Sequence, residues 1–143
     1  MLHEEKLLFF IYTYSKLILF HYIYVYIYIS ASPTFESEPV DTRVYLGQIA
    51  AFECRVAPTS FLSSRTTAST FSSQVNTRWI KDDQYLVLDH RMKILPSGML
   101  EISDVALSDR GEYKCRVSNL KDPQSSQTSR SATLVVNLNM GMA

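Results

Sequence analysis

The sequence predicts an all-β sandwich of two facing antiparallel sheets for residues 33–137, on three observations. Short runs that alternate apolar and polar residues recur about eight times after Pro33, with turn residues between them. No apolar stripe of helical period occurs in this stretch. The two cysteines, Cys54 and Cys115, both fall on the apolar phase of such runs, so both are predicted to point into the core.

The predicted strands follow one another at short spacing. In chain order, the runs that carry the pattern are Val44–Leu46, Ala50–Val56, Arg78–Ile80, Tyr85–Leu88, Met92–Leu95, Leu100–Ile102, Tyr113–Val117 and Ala132–Val136. Turn residues stand between them, as at Gly47 and at Leu95–Gly98. Many short strands separated by turns are typical of a sandwich.

Composition excludes several classes of function. The 143 residues have room for one domain, and 14 basic residues balance 14 acidic ones, whereas a nucleic-acid-binding module usually shows a basic excess. Three scattered histidines and two cysteines leave little material for a metal cluster. Gly-rich phosphate loops and the HExxH, CxxC and GxSxG patterns do not occur. The sequence therefore predicts no enzyme, no cofactor and no metal site.

Residues 1–32 form a separate apolar segment. Only four polar residues interrupt the run 7–29, and 23 helical residues span about 34 Å, enough to cross a bilayer core. The tighter run Leu17–Ile29 has the length of a signal-peptide core, and small residues after it suit cleavage after Ala31 or Ser32. We expect a signal peptide or signal anchor here, which implies the secretory pathway and possible membrane association.

Two alternatives for this segment stay open. Acidic Glu4 and Glu5 outnumber Lys6 at the start, where a signal peptide prefers positive charge. The Tyr-Ile repeat of residues 22–29 is what a repeated T-A dinucleotide encodes, so the segment could be translated non-coding sequence that says nothing about location. A buried core element is the remaining alternative, although consecutive tyrosines fit no amphipathic pattern.

The cysteines suit a bridge between the two sheets. Cys54 and Cys115 are 61 residues apart, and closing a loop of that length would stabilise the fold by about 4 kcal/mol in the chain-entropy model. Buried reduced thiols are the alternative. Trp79 lies between them on an inward phase. Tyr113 precedes Cys115 by two residues, where its ring packs inward and its hydroxyl can bond to the preceding turn.

Cys54, Trp79 and the run from Asp109 to Cys115, DRGEYKC, resemble the signature of the immunoglobulin superfamily. The resemblance covers about residues 33–137 and implies an immunoglobulin-like β-sandwich of the I-set type. It implies structural core positions at Trp79, Tyr113, Leu100, Asp109 and Gly111. The Asp109 carboxylate would sit at a turn and meet a basic residue at the start of strand D, either Arg91 or Lys93.

The run from Leu88 to Ser103, LDHRMKILPSGMLEIS, is similar to the second immunoglobulin domain of the neogenin, DCC and frazzled receptors, cell-surface proteins of the netrin-receptor family. This resemblance implies an extracellular module for protein recognition or adhesion, part of a receptor in cell adhesion or axon guidance. Its partners would be a protein ligand or neighbouring immunoglobulin domains. The alternatives are an intracellular structural module of the muscle-filament type and a secreted single-domain binding protein.

One segment departs from the family pattern. Trp79 follows Cys54 by 25 residues, roughly twice the usual spacing, and 11 of the 20 residues of 58–77 are Ser or Thr. Such a composition predicts a surface loop inserted between strands B and C. An enlarged or O-glycosylated binding loop and a mispredicted splice boundary are both consistent with it. Residues 138–143 are expected to be a C-terminal tail.

Strand parity predicts a candidate binding face. Because Trp79, Tyr113 and Cys115 belong inside, their neighbours Arg78, Ile80, Lys114 and Arg116 should point outward from one sheet. Three cations on one face could bind a sulfated glycan or an acidic surface of a neighbouring domain. The alternative is an ordinary solvated face with Glu112 as a compensating charge.

Overall fold

A computed structural model describes residues 2–30, 32–57 and 75–138, and the chain divides into two compact units, Met1–Ala31 and Ser32–Ala143. The first unit is a single helix, α1 (Leu2–Ser30). Its segment Glu4–Val25, with a mean hydropathy of 1.3, is long and apolar enough to cross a membrane. A signal sequence near an N-terminus meets the same criterion, so a signal peptide or anchor in residues 1–32 stays a prediction.

The second unit is built from short strands. In chain order they are β1 (Phe35–Ser37), β2 (Thr42–Tyr45), β3 (Ala50–Phe52), β4 (Arg55–Val56), β5 (Val75–Lys81), β6 (Gln84–Tyr85), β7 (Met92–Ile94), β8 (Leu100–Ile102), β9 (Gly111–Asn119), β10 (Ser126–Thr128) and β11 (Ala132–Asn137). One turn of 3₁₀ helix, Leu107–Asp109, precedes β9.

The strands form the predicted β-sandwich. One layer has the order β2-β11-β9-β5-β6, with β10 also paired to β9. The other contains β3-β8-β7, and β1 pairs with β4, which follows β3 after only two residues. The pairs are antiparallel with one exception, the parallel pair of β2 and β11. Between β1, which pairs with β4, and β2, which pairs with β11, the chain changes sheets around the buried Pro39.

The core lies between the layers and is apolar. Alternate residues of β9 and β11 point inward, as the burial of Tyr113, Cys115 and Val117 shows for β9. The buried apolar side chains are Ala50, Phe52, Cys54, Trp79, Leu100, Ile102, Val105, Tyr113, Cys115, Val117, Ala132, Leu134 and Val136. Burial of these side chains stabilises the fold by about 25 cal/mol for each Å² of apolar surface that is removed from water.

The structure differs from the sequence prediction in several places. The strands β1 and β10 were not predicted, the predicted run Ala50–Val56 is divided into β3 and β4, and the predicted run Tyr85–Leu88 is a strand only as far as Tyr85. The strand β5 begins at Val75, so residues 75–77 belong to the sheet and not to the predicted insertion. Residues 58–74, the remainder of that insertion, lie outside the described part of the chain.

Candidate functional site

The predicted disulfide between Cys54 and Cys115 is confirmed and ties the two layers together. Cys54 lies between β3 and β4, Cys115 lies on β9, and their Cα atoms are 6.3 Å apart. Trp79 is 2% exposed, and its indole Nε1 donates a hydrogen bond of 3.0 Å to the carbonyl oxygen of Gly98. The Phe52 ring stacks on Tyr113 with centroids 4.9 Å apart and lies 6.1 Å from the Trp79 ring, so the three aromatic residues pack together in the core.

A buried polar corner holds the start of β9. The Tyr113 hydroxyl donates a hydrogen bond of 2.6 Å to the carbonyl oxygen of Asp109. Burial raises the pKa of this hydroxyl far above its usual value, and the nearby Asp109 charge adds to the effect, so the group stays a donor. Sequence reasoning left the partner of the Asp109 carboxylate open; the structure assigns it to Arg91, whereas Lys93 pairs with Glu101 at 3.0 Å.

Gly111 packs against the turn between β5 and β6. A Cβ on Gly111 would lie 2.6 Å from Asp82 Oδ2, and its φ of +149° disfavours other residues. Asp82 Oδ1 accepts the Glu112 backbone N–H at 2.9 Å. Asp82 and Asp83 have φ values of 48° and 64°, the left-handed conformation that a two-residue hairpin turn needs. Sequence reasoning missed this turn because two aspartates lack the glycine that usually marks it.

The four residues of the predicted binding face lie side by side. Arg78 and Ile80 on β5 are the register partners of Arg116 and Lys114 on β9, respectively. Both arginines are exposed, whereas Ile80 and Lys114 are partly buried. Because opposite residues of paired strands project to the same side, the four side chains share one surface, which we call the basic face.

The cations of the basic face have different neighbours. Lys114 Nζ lies 3.0 Å from Asp83 Oδ1, so its charge is compensated by the turn between β5 and β6. The Arg78 guanidinium stacks 3.8 Å from the centroid of the Tyr85 ring. Arg116 Nη2 donates a hydrogen bond of 2.9 Å to Ser126 Oγ on β10. The sequence did not indicate Asp83 as the partner of Lys114, because Asp83 lies in the turn between β5 and β6 and Lys114 lies on β9.

The outer surface of the other sheet has balanced charges. Arg55 lies 3.5 Å from Glu53 and 4.0 Å from Glu36. A hydrogen bond from the Ser37 hydroxyl, followed by the Arg55 charge, lowers the pKa of the Glu53 carboxyl. Lys93 pairs with Glu101, so this sheet offers no concentration of one charge within the described residues.

The arrangement of ligand-type side chains in the described residues bears on metal binding. Within 2–30, 32–57 and 75–138, no group of three or more His, Cys, Asp or Glu side chains is arranged to hold a metal ion. What the basic face can do chemically is contact an anion through guanidinium and hydroxyl donors, without covalent chemistry.

Known proteins resemble the part of the chain that forms the sandwich. Residues 67–136 match the family model of the immunoglobulin I-set domain. The peroxidasin homolog of Mus musculus is 36% identical over 93 residues, and neogenin of Homo sapiens is 34% identical over 94 residues. Each alignment covers 64% of this chain and only 5% of the much longer relative.

A solved structure agrees with these sequence matches. The crystal structure of the titin M3 domain superposes with a TM-score of 0.57 at 23% identity, covering 75% of this chain and 98% of that domain. At this identity the likeness shows the fold alone. With its two layers, its parallel β2–β11 pair, the Cys54–Cys115 bridge and Trp79 beside it, this part of the chain is an immunoglobulin-like β-sandwich that is similar to the I-set family.

Proposed function

We propose that this chain is an extracellular recognition and adhesion module, and part of a cell-surface receptor of the netrin-receptor type. The observation that carries the proposal is the buried Cys54–Cys115 disulfide in an I-set sandwich. Structural disulfides persist in oxidising compartments and are rare in the cytosol. The similarity to neogenin supports the receptor class, and the apolar segment at the N-terminus is consistent with entry into the secretory pathway.

Binding to a protein ligand or to neighbouring immunoglobulin domains would be the work of this module. Its exposed sheet faces and its loops offer non-covalent contacts on a rigid frame. The alignment with peroxidasin homolog covers 5% of that protein, so no activity of the whole relative is transferred to this chain.

An intracellular module of the muscle-filament type is the second candidate, since the titin M3 domain shares the fold. The two candidates differ in the state of the cysteines, because a reducing cytosol favours free thiols. A secreted single-domain binding protein is the third candidate. A receptor would be encoded with further domains in the same reading frame, whereas a single-domain protein would not.

The test is expression of the full chain, with a C-terminal tag, in a secretory eukaryotic host. We expect the tagged protein in the secretory pathway, a new N-terminus after Ala31 or Ser32, and a disulfide-linked peptide pair containing Cys54 and Cys115. Cytosolic protein with two free thiols would overturn the extracellular proposal. Long-read transcripts across codons 1–32 and 57–77 should encode further receptor domains in frame; a transcript that ends after this domain would favour the single-domain protein.

A further inference from the structure

The basic face contains a pair of like charges directly opposite each other. Arg78 on β5 and Arg116 on β9 are register partners, and both are exposed. Like charges opposite each other on neighbouring strands destabilise a sheet. Within the described residues, neither guanidinium has a carboxylate at ion-pair distance. The isolated domain therefore leaves two neighbouring positive charges to solvent.

Neighbouring side chains direct the two arginines away from each other. Arg78 stacks on Tyr85 toward β6, and Arg116 reaches Ser126 on β10. Small polar residues lie beside the arginines on the same surface. Ser118 lies between Asn76 and Ser126 in the neighbouring row, and Thr128 is the register partner of Arg116 in the row of the arginines. The arginines thus lie within a strip of hydroxyl and amide groups.

Lys114 differs from the arginines although it lies on the same face. Its ammonium pairs with Asp83 at 3.0 Å, and its side chain is only 30% exposed. An anion that approaches the face would meet the two arginines as uncompensated charges and the lysine as half of an ion pair. The effective site therefore has two cations and not the three that the sequence predicted.

We propose that Arg78 and Arg116 form a binding site for a sulfated polysaccharide. The planar guanidinium matches the oxygens of sulfate and carboxylate groups with paired hydrogen bonds. The small polar side chains beside it suit the hydroxyls of a sugar chain. An acidic protein surface is less suited, because the core of a protein interface is more apolar than the rest of the surface, whereas these arginines lie among small polar side chains. The inference rests on the proposed function only in that such polymers are extracellular.

The test is binding of the full chain, purified in a non-ionic detergent, to immobilised heparin at several salt concentrations. Exposed charge contacts are worth about two- to fivefold each, so Arg78→Gln with Arg116→Gln should weaken binding about five- to twentyfold. The control is Lys93→Gln, which removes one positive charge from the opposite sheet and should change binding less than twofold. Asp83→Asn should strengthen binding about two- to fivefold, because it releases Lys114 and asparagine tolerates the positive φ.

Further readouts separate this site from a structural role and from another ligand. Thermal unfolding of Arg116→Gln should show an unchanged or higher midpoint, since the variant relieves a like-charged pair. Desulfated heparin should bind at least fivefold more weakly than heparin. Equal heparin affinity of the wild type and the double variant, an equal loss in Lys93→Gln, or equal competition by polyglutamate would overturn the proposal. The heparin assay uses purified protein, so its result does not depend on where the protein lies in the cell. A failure to bind heparin would leave the extracellular proposal standing, and a failure to be secreted would leave the heparin result valid.

Discussion

Arg91 holds the buried carboxylate of Asp109 through both of its terminal nitrogens, with Nη1–Oδ2 at 2.8 Å and Nη2–Oδ1 at 3.1 Å. The same arginine donates to the carbonyl oxygen of Asp104 at 2.9 Å and to Asp89 Oδ2 at 3.0 Å. The carboxylate also accepts the Ala106 backbone N–H at 2.7 Å. The start of β7 is thereby joined to the 3₁₀ turn before β9.

Replacing Arg91 should destabilise the domain more than replacing Asp109. Arg91→Leu leaves Asp109, which is 2% exposed, as an uncompensated buried charge, and should lower the free energy of unfolding by about 3–5 kcal/mol. Asp109→Asn leaves Arg91 with Asp89 and the Asp104 carbonyl, and should cost only about 1–3 kcal/mol. Urea unfolding followed by Trp79 fluorescence measures both. Equal costs would show that the remaining partners of Arg91 do not compensate its charge.

Stability should fall in acid through Asp109. Burial alone would raise the pKa of this carboxyl, but the Arg91 hydrogen bonds, the Ala106 N–H and the nearby positive charges outweigh it and leave the pKa below its usual value. A lowered pKa in the folded state gives stability that is present above the unfolded value of about 3.9 and is lost as the pH falls through the folded value. Denaturation at pH 7, 5 and 3 should show a smaller acid loss in Asp109→Asn than in the wild type. Parallel losses would assign the acid sensitivity to other carboxyls.

Gly98 should tolerate no side chain, for a reason that goes beyond its φ of +97°. A Cβ there would lie 2.3 Å from the backbone carbonyl oxygen of Cys54, and the Gly98 carbonyl accepts the Trp79 indole N–H. Gly47 is the matched control, since its φ is +85° but the nearest atom to a Cβ is Asp104 Oδ1 at 3.7 Å. We expect Gly47→Ala to cost about 1 kcal/mol and Gly98→Ala to cost at least twice that, measured by thermal unfolding. An equal loss of stability in the two variants would show that the backbone around Cys54 moves to accommodate the added Cβ.

Trimming the inserted segment should leave a folded domain. Deletion of residues 59–74 ends just before β5, which begins at Val75, and loop-closure entropy changes slowly with length. The control deletion, residues 59–77, removes the first three residues of β5 and their pairing with β9, and should lower the unfolding midpoint. Loss of cooperative unfolding in the shorter deletion would show that the segment contributes to the core.

Features of this fold that depend on the pattern of apolar side chains could be predicted from the sequence. Features that depend on backbone pairing or on turn conformation could not. Cys54 and Cys115 carry apolar parity, so their inward direction and their bridge were predictable. The strand β10, Ser126–Thr128, has no apolar alternation and forms because the long strand β9 offers further backbone groups to pair. The ion pair of Lys114 with Asp83 depends on a left-handed turn, and no periodicity in the sequence encodes it.

The parallel pair of β2 and β11 also determines how the domain carries tension. Thr42–Tyr45 lies in register with Leu134–Asn137 and runs in the same direction. A force that draws apart the chain entering β2 and the chain leaving β11 therefore slides the two strands along each other. Their hydrogen bonds share the load and fail together, whereas an antiparallel pair in this place would unzip one bond at a time. Pulling on a single domain in an optical trap should therefore meet its main resistance at this edge.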